Sequence, residues 1–273
     1  MKEIFMLSVF FLLVGLFSIY LGIQTNEAIK KGEIEPVFQN PSDYKNSLYA
    51  FILILIGTSI VLFLIKFKFE LIKILENIAI FLLTTTTFSF FLPGFYPFIL
   101  SFLILTLSEI KQSYLLKNLI LLLSIPSASA IIGASLSFQV TFILFAILSI
   151  YDIVSVFITK HMVYMAEKLF SRPTAFISVF PSKKIRNIRF GKGAKKVKVI
   201  ALGAGDYFLP SALAVSSLQF GLLFSILMVI SFSISIFLLF LYITRKEVSR
   251  PLPALPFLFI VALIFFLSLI IKL

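Results

Sequence analysis

Cysteine is absent from the 273-residue chain, and histidine occurs once, as His161. Without cysteine the chain has neither a disulfide framework nor thiolate chemistry. A single histidine cannot form a histidine-based metal cluster, which argues against a zinc protease. Aspartate is also scarce, since only Asp43, Asp152 and Asp206 are present. Asp43 lies in a polar connector, which leaves two aspartates within apolar sequence.

Charged residues are few, at 13% of the chain, whereas 60% of the residues are hydrophobic and the mean hydropathy is +1.11. Soluble domains average roughly 45–50% apolar and about 25% charged residues. Soluble packing cannot account for this excess, so the composition predicts a polytopic membrane protein. The net charge of +12 is concentrated in one loop, which favours membrane topology over nucleic-acid binding as its explanation.

Apolar runs that can cross a bilayer, which takes about 20 residues, define the predicted fold. The third and fourth runs are short and flank Pro93-Gly94-Phe95-Tyr96-Pro97, where proline and glycine favour a turn; one long kinked helix is the alternative. The first run is longer than the roughly 7–15 apolar residues of a signal peptide, so it is interpreted as a transmembrane helix. The predicted class is an all-α polytopic membrane protein with nine transmembrane helices, at 4–23, 47–65, 77–92, 95–108, 118–136, 140–159, 199–218, 222–243 and 253–271.

The distribution of basic residues predicts the orientation, because cytosolic loops are enriched in them. Nine spans with a cytosolic N-terminus and an external C-terminus place 20 Lys and Arg residues inside and 4 outside. Eight spans with an external N-terminus give 19 and 5, so this alternative stays open. Both arrangements place loop 160–198, with its eleven basic residues, in the cytosol between helices 6 and 7. We divide the chain into a scaffold of five helices, 1–139, and a catalytic part, 140–273, that contains helices 6–9 and this loop.

Asp152 and Asp206 lie in consecutive predicted helices, where an unpaired charge is costly and marks function. Asp152 is eight residues before Lys160, and Asp206 is eight residues after Lys198. At a rise of about 1.5 Å per residue, both lie about 12 Å from the cytosolic surface. Two such carboxyl groups can share a proton, so that one activates water and the other donates a hydrogen bond to a carbonyl. This is aspartic-protease chemistry, and it requires neither metal nor cofactor.

The residues around Asp206 predict a loosely packed backbone. Gly203 and Gly205 are unfavourable in a helix interior, and Pro210 has no N–H to bond the Asp206 carbonyl. Packing of small residues between membrane helices is the alternative role for the glycines.

A second irregular segment precedes the last span, where prolines occupy positions 251, 253 and 256. Three prolines in six residues exclude a regular helix. Non-helical backbone at membrane depth is tolerated where protein or water covers it. An ordinary helix start is the alternative, because proline suits the first turn.

Three motifs in this order, Tyr151-Asp152, Gly203-Ala204-Gly205-Asp206 and Pro253-Ala254-Leu255, resemble the presenilin and signal peptide peptidase family of intramembrane aspartyl proteases. The Gly-x-Gly-Asp motif alone also occurs in type IV prepilin peptidases, so the combination carries the resemblance. It implies that the two aspartates are catalytic, that Pro253-Ala254-Leu255 shape the site, and that transmembrane peptides are the substrates. Tyr151 can supply a hydroxyl, although adjacent helical residues do not share a face. The cytosolic loop indicates the presenilin orientation, and its shortness indicates a compact microbial homologue.

The alternation of Lys196, Val197, Lys198 and Val199 predicts a strand that runs directly toward Asp206. A protease must unwind a helical substrate, and an exposed strand edge can hold the unwound peptide by strand addition. The resemblance implies a comparable strand in presenilins.

The basic loop 183–198 is also expected to bind anionic lipid headgroups, mainly through Lys183, Lys184, Arg186 and Arg189. The two roles of the loop are compatible. His161 is interpreted as an interfacial residue at the membrane face, without a catalytic part.

The alternative function is a carboxylate-based ion or proton transporter, because paired intramembrane acids and broken helices also occur in transporters. Transporters often contain internal repeats, and segment 203–206 has no counterpart in the first half of the chain. A non-enzymatic membrane assembly factor is a third interpretation.

Overall fold

Helices dominate the structure, a computed structural model that describes residues 1–67, 69–111, 113–162, 164–165, 174, 176–181, 199–245 and 252–272. Within these residues, nine α-helices and one two-stranded sheet are present. The helices are α1 (Lys2–Lys30), α2 (Lys45–Phe67), α3 (Phe69–Ser89), α4 (Tyr96–Ile110), α5 (Tyr114–Ser135), α6 (Phe138–Ile153), α7 (Ala204–Ser216), α8 (Leu222–Arg245) and α9 (Leu255–Lys272).

Six of the described helices are long and apolar enough to cross a membrane, namely α1, α2, α3, α5, α6 with its π-helical extension, and α8. Helices α4 and α9 are apolar but shorter, and α7 has only 13 residues. The prediction of a polytopic, mainly helical membrane protein is therefore confirmed. The count of nine transmembrane helices stays a prediction.

Helices α3 and α4 are separate elements that pack against each other. Between them, Gly94 has a φ of +69°, in the left-handed region that favours glycine. A salt bridge between Lys73 and Glu109 joins the start of α3 to the end of α4. The predicted turn at this position is confirmed, and the alternative of one long kinked helix is wrong.

The sheet consists of β1 (Ile177–Pro181) and β2 (Val199–Gly203), which pair antiparallel. Ile177 lies opposite Gly203, and the Ala204 N–H donates to the Phe176 carbonyl at 2.8 Å. The predicted helix over 199–218 is therefore wrong for its first five residues, and the all-α class is amended by this sheet. The physical reason is that pairing with β1 satisfies backbone groups of 199–203 that a helix would otherwise satisfy.

The hydrophobic core forms where α1, α5, α7 and α8 pack together. Two of these contacts depend on glycine, because the Val215 side chain of α7 fits against both Gly22 of α1 and Gly133 of α5. A Cβ atom at Gly133 would lie 2.5 Å from the Ala212 carbonyl oxygen and 2.7 Å from the Val215 Cβ. The short helix α7 is thus held at close range by α5.

Replacing Gly133 by leucine should destabilise the protein, since the new side chain would overlap the backbone of α7. Overpacking of this kind typically costs about 1–3 kcal/mol, and the cost is measured as a lower thermal unfolding midpoint in detergent. Gly57→Leu is the matched control, because no atom lies within 4 Å of a Cβ at Gly57. Equal midpoints for the two variants would contradict the close approach of α5 and α7.

Candidate active site

Asp152 lies one residue before the end of α6, and it is buried, with 3% exposure. The helix then continues as a π-helix, Val154–Ile158, in which the Ser155 hydroxyl donates to the Asp152 carbonyl at 2.9 Å. Short π-helical segments are rare and often mark functional sites. Lys160, with a φ of 55°, follows this segment. The backbone geometry therefore changes immediately after Asp152.

The start of α9 contacts Asp152 through its backbone. The Leu255 N–H donates to Oδ2 of Asp152 at 3.3 Å. Leu255 is the first residue of α9, so its N–H is one of the donors that a helix leaves unpaired at its N-terminus, where the helix dipole favours a carboxylate. Pro253 and Ala254 are buried just before the helix. The predicted non-helical backbone is confirmed for 252–254, whereas positions 250 and 251 lie outside the described residues.

Asp206 is the third residue of α7, and Gly203 is the N-cap of this helix. The Asp206 carboxyl group lies beside the Gly203 backbone, with its Oδ2 3.4 Å from the position that a Cβ atom at Gly203 would occupy. As the N-cap, Gly203 is not in a helix interior, so the predicted helix-breaking cost does not apply to it. Gly205 is exposed and has open space around its Cα, which leaves room beside Asp206.

The structure brings Asp152 and Asp206 together. Helices α6 and α7 pack against each other, and the two carboxyl groups are close enough to interact electrostatically. The depth predicted for Asp206 assumed a continuous helix from Lys198. This depth is wrong in detail, because 199–203 is a strand that rises about 3.3 Å per residue. Two carboxyl groups in contact can share one proton, which is the arrangement that general acid–base chemistry requires.

Tyr151 is directed away from this pair, in agreement with its position next to Asp152 on the helix. Its hydroxyl lies 2.9 Å from Nε2 of His161, and its ring packs edge-on against Phe51 at 6.0 Å. His161 lies beyond the π-helix, and burial lowers its pKa below the usual value, so the ring is neutral at pH 7. The contact between Tyr151 and His161 was not predicted, because it joins residues on both sides of a helix end.

Tyr207 is a second residue whose role was not predicted. It is fully buried, and its hydroxyl lies 2.7 Å from the Ser178 hydroxyl of β1. Its ring packs against Phe10 and Phe11 of α1 at 5.7 Å and 5.2 Å. Tyr207 thereby joins the sheet, α7 and α1 directly behind Asp206. The available signal was a polar aromatic residue immediately after the Gly-x-Gly-Asp motif.

Most of the predicted loop residues lie outside the described residues. These are Lys196, Val197 and Lys198 of the predicted strand, and Lys183, Lys184, Arg186 and Arg189 of the predicted lipid-binding surface. Val199, the last residue of the predicted strand, begins β2. The strand that adjoins Asp206 in the structure is therefore Val199–Gly203.

The sequence from residue 8 to residue 272 matches the family described as "Signal-peptide peptidase, presenilin aspartyl protease". No curated protein matches the sequence. The structure is similar to that of a presenilin family intramembrane aspartate protease solved in space group C222, with a TM-score of 0.68, 19% identity and 97% of each chain covered. A structure of a presenilin family intramembrane aspartate protease in space group P2 gives a TM-score of 0.60 and 20% identity, with 94% of this chain and 95% of that chain covered. These similarities agree with the resemblance that the three motifs carry, and the chain belongs to the signal peptide peptidase and presenilin family of intramembrane aspartyl proteases.

Proposed function

We propose that Asp152 and Asp206 are the catalytic pair of a Gly-x-Gly-Asp-type protease that hydrolyses peptide bonds within transmembrane segments. The observation that supports this most directly is that the two carboxyl groups are close enough to interact, with Asp152 beside the start of α9 and Asp206 in the first turn of α7. Leu255 of α9 donates to Asp152, and the Gly203 backbone lies beside Asp206. Both Leu255 and Gly203 belong to the motifs that carry the family resemblance.

The proposed reaction begins with one ionised and one protonated carboxyl group. The ionised carboxylate takes a proton from water as the water oxygen attacks the scissile carbonyl carbon, and the protonated partner transfers its proton to the carbonyl oxygen. The resulting tetrahedral diol collapses when the protonated carboxyl group gives its proton to the amide nitrogen, the C–N bond breaks, and a diol hydroxyl returns its proton to the other carboxylate. The products are a carboxyl and an amine terminus, and the pair again shares one proton.

Substrate binding is proposed to occur by strand addition to β2. A helical substrate hides its scissile bond in i→i+4 hydrogen bonds, so it must be unwound and held. In this antiparallel pair, residues alternate between pairs that bond each other and pairs whose backbone groups point outward. Because Ala204 bonds to Phe176, Ala201 falls in an outward-pointing pair. Its N–H and C=O are directed away from β1 and can pair with a peptide.

The orientation remains a proposal based on charge. The N-terminus and loop 160–198 face the cytosol, the C-terminus lies outside, and loop residues 183–198 bind anionic headgroups. Helices within 1–139 then support the catalytic residues of 140–273.

Replacing either catalytic aspartate by asparagine should abolish detectable cleavage of a transmembrane peptide by the purified protein. Loss of a general base costs at least about 10²–10⁴-fold, and one carboxyl group cannot serve both roles. Asp43→Asn is the matched control, because Asp43 lies in the connector before α2 and should leave the rate unchanged.

The wild-type rate should follow a bell-shaped pH profile, because only the singly protonated pair is active. Cleavage should need no ion gradient, nucleotide or added metal. An Asp206→Asn variant that cleaves normally would refute the proposal. So would a wild-type protein that moves ions across liposomes and never hydrolyses a peptide.

Replacing Leu255 by proline should reduce the turnover number by roughly tenfold to a hundredfold, the usual range for a lost hydrogen bond to a charged group. Proline is compatible with the first helical position, so the change removes the N–H donor with little effect on the helix. The matched control is Leu255→Ala, which also removes the leucine side chain but keeps the N–H. Equal turnover numbers for the two variants would show that the hydrogen bond to Asp152 does not contribute.

Replacing Ala201 by proline should raise KM for a transmembrane peptide by roughly twofold to tenfold, because it removes a backbone donor from the proposed binding edge. The sheet should persist, since proline is tolerated where the N–H points away from the neighbouring strand. The Ala201→Val variant keeps the N–H, so its KM should rise less than that of the proline variant. If the proline and valine variants have the same KM, strand addition at Ala201 is excluded.

A further inference from the structure

Asn118 of α5 makes two hydrogen bonds to the backbone of a single residue in β1. Its Nδ2 donates to the Val179 carbonyl at 3.1 Å, and the Val179 N–H donates to its Oδ1 at 3.1 Å. Both residues are buried, with 6% and 8% exposure. The carboxamide reproduces the pair of hydrogen bonds that a neighbouring strand would form with Val179.

The register of the sheet explains why Val179 is available for this contact. Val179 lies opposite Ala201, and both belong to a pair whose backbone groups point outward. The outward groups of Val179 face α5, whereas those of Ala201 face the opposite side of the sheet. A buried asparagine side chain in a membrane protein can be satisfied by any hydrogen-bonding partner, and such partners are commonly on neighbouring helices. Asn118 instead bonds to an edge position of β1 that a third strand would use.

The two strands also differ in burial. Ile177, Ser178, Val179 and Phe180 of β1 are all buried, and Ser178 is anchored further by the Tyr207 hydroxyl. In β2, Ile200, Ala201 and Gly203 are partly exposed. Among the described residues, no backbone hydrogen bond satisfies the outward groups of Ala201. The outer edge of β1 is therefore covered by other parts of the protein, whereas the outer edge of β2 is free to pair with a peptide.

Helix α5 connects this closed edge to the helix that carries Asp206. The Ser129 hydroxyl of α5 donates to the Phe208 carbonyl at 3.1 Å, and Gly133 allows the close approach of Ala212. Asn118 and Ser129 are three helical turns apart, so they lie on one face of α5. The same helix thus contacts both the sheet and α7.

We propose that Asn118 is a positioning residue that closes the outer edge of β1 and sets the position of β2 relative to Asp206. Of the two described strands, only β2 is then open to a peptide, and the distance between its edge and the carboxyl pair determines which bond is cut. This inference rests on the proposed function, in which the substrate pairs with β2.

The test compares Asn118→Leu with the wild type in detergent, using a transmembrane peptide substrate and mass spectrometry of the products. Leucine has a similar size and removes both hydrogen bonds. We expect cleavage at additional peptide bonds, an increase in KM of roughly tenfold, and faster amide hydrogen exchange in residues 177–181. Ser124→Ala is the matched control, because Ser124 is buried in the same helix and its hydroxyl bonds, among the residues that the structure describes, to the Ile120 carbonyl of its own helix alone.

The cleavage position separates positioning from a general effect on stability. A variant that is merely less stable would have a lower unfolding midpoint and still cut only the wild-type bond, and this result would overturn the inference. If Asn118→Leu does not fold, Asn118→Asp decides the question, since it keeps the acceptor for Val179 and loses the amide donor. It should then cut at additional bonds to a smaller extent, and an unchanged product pattern would overturn the inference. Failure of the proposed function is seen separately, as a wild-type protein without Asp206-dependent cleavage.

Discussion

A carboxyl group inside a bilayer needs polar partners that hydrocarbon does not provide, and this requirement determines the architecture around Asp152 and Asp206. The Leu255 N–H at the start of α9 donates to Asp152, and Asp206 lies in the first turn of α7 beside Gly203. Within a helix, free N–H groups occur only in the first turn, so a helix that donates them to a carboxyl group must begin beside it. The start of α7 near the carboxyl pair agrees with its length of 13 residues, well short of the roughly 20 that a bilayer requires.

A helix that starts within the membrane leaves non-helical backbone in front of it, and this backbone must also be paired. Before α7, the pairing is supplied by the sheet, whose ladder extends to the bond between Ala204 and Phe176. At the outer edge of β1 the backbone of Val179 is in turn satisfied by Asn118, and the Ser178 hydroxyl lies within hydrogen-bond distance of the Tyr207 hydroxyl. The sheet and its anchoring side chains are therefore consequences of placing Asp206 at a helix start.

Local sequence patterns predicted the helices and the two aspartates, and they failed where pairing partners are distant in the chain. Hydropathy predicted the positions of the long helices, and the rarity of aspartate in apolar sequence singled out Asp152 and Asp206. The segment 199–203 was predicted as helix because a short apolar strand and the start of an apolar helix have the same composition. Its strand conformation depends on β1, which is separated from it by 17 residues in the sequence. The contacts of Asn118 with Val179, 61 residues apart, and of Tyr151 with His161 leave no periodic pattern in the sequence.

In the proposed mechanism water and substrate must reach the carboxyl groups although the surrounding helices exclude solvent, and the two aspartates differ in their exposure. Asp152 is buried, whereas Asp206 is partly exposed beside the exposed Gly205. The exposed side of the pair is thus the first turn of α7. Strand β2, whose outer edge is open, immediately precedes this turn in the chain. A peptide paired with β2 would extend along the chain direction toward Asp206. Glycine at 205 leaves open space within 4 Å of its missing Cβ, so this turn presents no side chain there beside Asp206.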